Sequence, residues 1–382
     1  MSPLLEELRR RYERRDAAAR EWSSGGGKVL AYMCDNFPVE LAAAAGMLPF
    51  RLDGDPAAPA PHVQRYIGPD RNPLIRVPAF ADAMLEAVVS GDYGFIDYLV
   101  VPHGRKAIEA SYELLTRARA AGAPIDDVRL FYLDKSYLPG FSSSVFDREC
   151  VLALKAQLEE WSRAPVTDPA LAEAIEQANR GRTLLARVNR LRISESPRLS
   201  GADAVRLYSL AGAMTRPAHN AMSEALLAEA SEMPARSGPR IYLSGTPQPT
   251  PALYELVESL GTTVVGEDHC WGARTAGCPT PVRPSPLEGL AERYHEVPVC
   301  SIEFPLQQAV DRWQARVRVT RPDGVIVYVA EDDELHIWDA PDRLGRMAAD
   351  GVPALHLARQ PPELDREDLR ETIDAWLAEL SR

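Results

Sequence analysis

Short apolar runs alternate with stretches of helical periodicity in two parts of the chain, and a purely helical stretch separates them. After an amphipathic N-terminal segment, "MSPLLEELRRRYERRDAAAREW", the pattern breaks at "SSGGGK", and Val29 to Cys34 form a continuous apolar run suited to a buried strand. Pro38 opens a helix at its first turn, Gly46 closes it, and Leu48 to Leu52 give the next strand. The scheme repeats with a strand over 95–101, a turn at Pro102 to Gly104, a helix over 105–120 and a strand over 128–133. From Phe146 to about Met233 the periodicity is helical with almost no strand signal; Asp168 is the expected N-cap of "DPALAEAIEQANRGRTLLARVNRLR", with Pro169 at its first turn. Alternation returns with the strand "RIYLSG", a helix over 251–260, the strand "TTVVGE", a loop to 283, helices over 286–294 and 303–318, the strand "GVIVYV", a helix over 339–349, the strand "ALHLA" and a final helix over 365–380.

Strands that alternate with helices imply parallel sheets covered on their faces. The expected class is therefore α/β: two parallel-sheet domains of Rossmann or flavodoxin type joined by a helical domain. The boundaries read as an N-terminal arm 1–28, a first α/β domain 29–145, a helical linker domain 146–236 and a second α/β domain 237–382, the two α/β parts being candidates for pseudo-equivalence.

Composition narrows the partners. At 382 residues the chain exceeds one ordinary core, in keeping with several domains. No apolar run reaches the roughly 18 residues that cross a bilayer, and the N-terminus lacks the apolar centre of a secretory signal, so a cytoplasmic protein without a membrane role is expected. Arg9, Arg10, Arg11, Arg14 and Arg15 read as a solvated face or a docking arm. The balance of 43 basic against 55 acidic residues gives −12 and argues against nucleic acid. Five cysteines, Cys34, Cys150, Cys270, Cys278 and Cys300, are an odd number with no C-x-x-C pair, so disulfides are not expected.

Ligands of parallel sheets collect beyond the carboxyl ends of the strands. Five such ends are suggestive: "MCDN" after 33, "PHGRK" after 101, "SGTPQP" after 243, "EDHCWGAR" after 266 and the carboxylates Glu331, Asp332 and Asp333. None is a phosphate loop. Glu267, Asp268, His269, Cys270, Arg274 and Cys278 crowd together without the spacing of a zinc site, which favours a polar loop with Cys270 as a small packed residue. A His269-assisted Cys270 nucleophile is weaker still, because neighbours on a strand end point oppositely. Glu40, in the first turn of its helix, is either a dipole-favoured carboxylate or an acid/base group. Arg105, at a helix start where a cation is misplaced, is either solvated or an anion clamp, and His103 shapes the turn beside it.

"PVELAAAAGMLP" resembles the P-x-E-L-x-x-A-A-G-x-x-P segment of the 2-hydroxyacyl-CoA dehydratase and benzoyl-CoA reductase subunits. "GDYGFIDYLVVPH", "AIEQANRGRTLLARV", "SGTPQPTPALYELVESLGTTVVGEDHCWGAR" and "DGVIVYV" follow in that family's order, so the similarity spans roughly residues 29 to 380. The resemblance implies a [4Fe–4S] cluster held by three cysteines, an electron from an ATP-driven activator, and loss of hydroxyl from an acyl-CoA ketyl radical. Here the family's three cysteine positions fall on about Pro78 in "IRVPAFADAM", on Arg105 in "VVPHGRK", and on Asp333, seven residues beyond "DGVI". All three thiolates are missing. Cys270 and Cys300 match family cysteines that are not ligands, and a new centre would need three of Cys34, Cys270, Cys278 and Cys300 to converge. The last helix also departs from T-R-[IV]-E-A-F, reading "ETIDAW" with Thr372 at the arginine position.

The expectation is a cluster-free subunit, with no cofactor in this chain, that supports a homologous cluster-bearing subunit acting on an acyl-CoA; a homodimer is the other assembly considered. The first alternative is a redox-neutral enzyme on an acyl-CoA or carboxylate substrate, with Glu40 or Asp333 as general base and Arg105 as clamp. The second is a non-catalytic thioester-binding or scaffold protein. An Arg105–Asp333 ion pair filling the site is the bland reading of those two residues. Candidate substrate contacts are His103, Ser244, Glu267, Cys270 and Arg274, and no residue is assigned to a metal.

Overall fold

The computed structural model describes residues 2–68, 77–136, 138–296 and 306–380. Cys300 and residues 303–305, where the sequence starts a helix, lie outside the described residues. The first sheet is formed by β1 (Lys28–Tyr32), β2 (Met47–Arg51), β3 (Tyr98–Pro102) and β4 (Arg129–Leu133), in the order β2-β1-β3-β4. The second is formed by β5 (Arg240–Gly245), β6 (Thr263–Glu267), β7 (Gly324–Ala330) and β8 (Ala354–Gln360), in the order β6-β5-β7-β8. Every pairing is parallel, so the protein has an α/β fold in which both halves repeat one strand order, the doubly wound order of flavodoxin-type sheets.

The central strands read as unbroken apolar runs because both of their faces are covered. Side chains of β1 and β3 divide by parity: Val29, Ala31, Leu99 and Val101 enter one core, Leu30, Tyr32, Tyr98 and Val100 the other. In the second half Ile241, Leu243, Ile326 and Tyr328 face one core, and Tyr242, Val325, Val327 and Val329 the opposite one. The edge strands β4 and β8 are more exposed and correspondingly more polar.

Between the sheets run the helices Phe141–Ser162, Asp168–Ile193, Gly201–Leu210 and Arg216–Glu229. Their buried residues join the cores of the strands: Leu185 and Val188 pack with β1 and β3, Leu154 and Leu158 pack on the opposite face, and Ala202 and Val205 pack with β5 and β6. Thr167 caps the second of these helices through its side chain and Asp168 is its first residue, so the helix starts one position earlier than the sequence suggests.

Three local expectations change. The N-terminal segment is two helices, Pro3–Glu13 and Ala17–Ser24, and its arginines do not share one solvated face. Arg10 and Arg11 pair with exposed Glu7, but Arg9 binds Asp203 at 2.8 Å, and Arg15 is buried against Asp53 and the hydroxyl of Ser209, because the segment packs on helix Gly201–Leu210. The helix expected from 339 begins at Glu334, because Asp333 caps it, and it accommodates Pro341 internally. A six-residue helix, Pro61–Tyr66, carries too short an apolar pattern to be read beforehand. Among the described residues no helix is long and apolar enough to cross a membrane.

Candidate functional site

In sheets of this order the crevice for ligands opens at the switch point, between the ends of the first and third strands in sequence. In the first sheet that point is the ends of β1 and β3, and in the second the ends of β5 and β7. The chain leaves β3 through His103 and Gly104 to Arg105, the N-cap position of helix Lys106–Ala120. It leaves β7 through Glu331 and Asp332 to Asp333, the N-cap of helix Glu334–Asp350. The two ends meet: Arg105 Nη1 donates to Asp333 Oδ1 at 3.1 Å, with side-chain exposures of 12% and 1%.

Asp333 is saturated. Its carboxylate also accepts the Thr246 hydroxyl at the end of β5 (2.7 Å) and the backbone N–H groups of Leu335 and His336, while His336 Nδ1 lies 2.7 Å from Oδ2. Burial alone would raise the pKa of Asp333, but His336 and Arg105 carry it the other way, well below the usual carboxylate range. A carboxylate so stabilised as an anion, with its lone pairs engaged, is a poor proton acceptor near neutrality. Its neighbour Asp332 accepts the backbone N–H of Ala79 at 2.6 Å, at the start of helix Ala79–Val89, whose N-cap is Pro78. Pro78, Arg105 and Asp333, far apart in sequence, are thus drawn to one place. Asp332→Ala is expected to cost about 1 kcal/mol, the usual worth of an N-terminal cap, read as a small shift of the urea midpoint. A change under about 0.3 kcal/mol would show that this cap does not stabilise the fold.

Beside this junction lies a cleft of about 490 Å³ bordered by Ala79, Phe80, Thr246, Gln248, Tyr328 and Asp332. It is rimmed by the six carboxylates of Asp55, Glu255, Glu331, Asp332, Glu363 and Asp365, and among the described residues its wall has no lysine or arginine. Such a wall repels a polyphosphate.

The other expected site residues are dispersed. Glu40 is fully buried against Arg182, with the Tyr294 hydroxyl donating to it at 3.2 Å. Burial would raise its pKa, but Arg182 and Arg293 bring it down to about 2, so it too is a structural anion and no base near neutrality. His103 Nδ1 contacts Asp134 (2.7 Å) and Nε2 contacts Glu109 (3.1 Å). Ser244 receives an Arg343 N–H at 2.8 Å, and Arg343 also pairs with Asp268 and Asp339. Glu267 forms a fully buried pair with Arg192 and accepts the Ala273 N–H at 2.7 Å, which pins the loop after β6. Cys270 accepts Arg51 N–H groups at its carbonyl (2.8 Å) and its sulfur (3.2 Å), and Arg274 donates to the Asp268 carbonyl at 3.3 Å. His269 is turned away from Cys270, with Nε2 2.6 Å from the Tyr254 hydroxyl. Cys34 is buried and Cys278 exposed, and among the described residues no three His, Cys, Asp or Glu side chains are grouped to hold a metal. His336 has no signal in the sequence, and Thr246 and Asp332 stand in suggestive strand ends without a role that their spacing marks, whereas the Arg105–Asp333 ion pair is among the readings the sequence offers.

Known proteins share this sequence pattern. The family described as "2-hydroxyglutaryl-CoA dehydratase, D-component" matches residues 34–379. The chain is 27% identical over 259 residues to one of the benzoyl-CoA reductase subunits of Thauera aromatica, covering 66% of this chain and 64% of that protein. It is 28% identical over 218 residues to YjiM of Escherichia coli (strain K12), provisionally named a dehydratase subunit, covering 53% of this chain and 55% of YjiM. The matched region is less than two thirds of the length of either relative.

Proposed function

Since the chain belongs to the 2-hydroxyglutaryl-CoA dehydratase D-component family, we propose that it is the subunit of a dehydratase- or reductase-like complex that carries no iron–sulfur cluster of its own and supports a homologous subunit that does. What supports this reading is the junction of the two switch points. A [4Fe–4S] cluster is held by thiolates, and the three positions that family resemblance gives to its cysteines carry Pro78, Arg105 and Asp333. Proline offers no donor, the guanidinium repels iron, and the Asp333 carboxylate is consumed by Arg105, Thr246 and the start of its own helix. These residues do not fit a cluster.

The redox-neutral alternative requires a general base, and both carboxylates considered for it, Glu40 and Asp333, are held as anions by arginine. A chain that carries a thioester alone would need cations for the phosphates of CoA, and the cleft beside the junction presents carboxylates instead. Both features favour a subunit that shapes a shared cleft while its partner binds the nucleotide end of the acyl-CoA and performs the chemistry.

Anaerobic purification tests this. The chain alone is expected to contain no stoichiometric iron or acid-labile sulfide, and the chain co-purified with a cysteine-bearing homologue from its own host is expected to contain both. Iron and sulfide in the isolated chain, or failure of any such homologue to co-purify, would overturn the proposal.

A further inference from the structure

A second cavity, of about 50 Å³, lies between β1, β2 and the central helices, on residues that the subunit reading does not use. Five arginines from five different elements converge on it: Arg51 at the end of β2, Arg182 on helix Asp168–Ile193, Arg216 opening helix Arg216–Glu229, Arg274 in the turn Ala273–Ala276, and Arg293 on helix Pro286–Glu296. Among the described residues the carboxylates that act on them include Asp35 in the cavity wall, Glu40 behind Arg182, and Asp53, which Arg15 already holds. The arginines outnumber the carboxylates around the cavity, and Arg216 is the one for which no direct partner is found among the described residues. Charge taken out of water is costly unless it is matched, so the arrangement calls for an anion that the chain itself does not supply.

The individual contacts sharpen this. Arg51 donates to the Cys270 carbonyl and stacks 3.7 Å from the Trp271 ring, and Arg293 donates to the Cys278 carbonyl at 2.8 Å; neither contact supplies a negative charge. Arg216 makes no hydrogen bond or ion pair among the described residues, and burial lowers its pKa. It is also the first residue of its helix, where its charge adds to the positive end of the helix instead of offsetting it. Tyr32, 4% exposed, lines the same space and has no hydrogen-bond partner for its hydroxyl among the described residues. Room is kept by Gly212, where a side chain would come within 2.7 Å of Arg51 Cβ and 3.2 Å of the Tyr32 hydroxyl.

We propose that this cavity binds one small oxyanion, a carboxylate or phosphate group, held by Arg51, Arg216 and Arg274 with the Tyr32 hydroxyl donating to it. Guanidinium forks match the planar or tetrahedral oxygens of such groups, and the volume admits a group of that size while excluding a nucleotide. The site stands independently of the subunit proposal.

The full chain in Tris chloride would be titrated with sodium phosphate, sodium acetate and sodium succinate, with sodium chloride at matched ionic strength as control, and followed by thermal melting and calorimetry. A saturable rise in Tm beyond the chloride control is expected. A response to phosphate alone identifies a phosphate ligand, and a response to acetate or succinate alone a carboxylate. Arg216→Gln is expected to weaken binding at least tenfold and, without the anion, to melt above the wild type because an unmatched charge is gone. Tyr32→Phe is a milder second variant, with an expected loss of severalfold, and Arg318→Gln, at an exposed surface pair with Asp350, is expected to bind normally. No response beyond chloride, or wild-type affinity in a folded Arg216→Gln, would overturn the site.

Discussion

Arg192→Met is expected to destabilise the protein by about 3–5 kcal/mol, because it strands a carboxylate in a dry interior. Arg192 lies in the last turn of helix Asp168–Ile193 and Glu267 ends β6, and neither side chain is exposed at all. Two guanidinium nitrogens reach the two carboxylate oxygens at 3.1 and 2.5 Å. Burial would raise the pKa of Glu267, and Arg192 reverses this; without Arg192 the group must take up a proton or remain an unmatched charge. The pair also ties a helix from the middle of the chain to the second sheet, so its loss should separate the two in urea, visible as a lowered midpoint by circular dichroism. Arg192→Met combined with Glu267→Gln is expected to recover most of the loss, because removing both charges removes the desolvation cost as well. A single-variant loss below about 1 kcal/mol would mean that solvent reaches the pair.

Asp333→Ala is the second large effect, also about 3–5 kcal/mol, since it leaves Arg105 and His336 without their anion and uncaps helix Glu334–Asp350. Asp333→Asn keeps a capping acceptor and is expected to lose about 2 kcal/mol, the scale of a charged hydrogen bond. The pH dependence has a definite sign. The folded pKa of Asp333 is depressed below the value of about 3.9 that it has unfolded, so its contribution is complete above that value and is lost as pH falls. The stability gap between wild type and Asp333→Asn should therefore be flat from pH 6 to 8 and narrow below about pH 4. A gap independent of pH down to 3 would refute the ion pair. The same variant separates packing from catalysis: turnover by the assembled complex is expected to survive Asp333→Asn, and its abolition with an intact fold would make Asp333 a catalytic base.

The strands were legible because a strand covered on both faces needs an unbroken apolar run, and "YLVVP" and "GVIVYVA" contain little else. The start of the helix after β7 was misplaced because an N-cap acts through a side-chain hydrogen bond, which one aspartate in a row of three acidic residues does not announce. Arg9 and Arg15 were misjudged for a related reason: an arginine row looks the same in sequence whether water or Asp203 and Asp53 receive it.

By itself the sequence determined the alternation of strands and helices and the family signature, since each is a property of neighbouring residues. Only the tertiary structure decided that Arg105 and Asp333, 228 residues apart, neutralise one another, that Glu40 and Glu267 are spent on buried arginines, and that five arginines surround one small cavity. Charge pairing depends on distance and on exclusion of water, and both are fixed by how the two sheets and the central helices pack, which leaves no periodic trace along the chain.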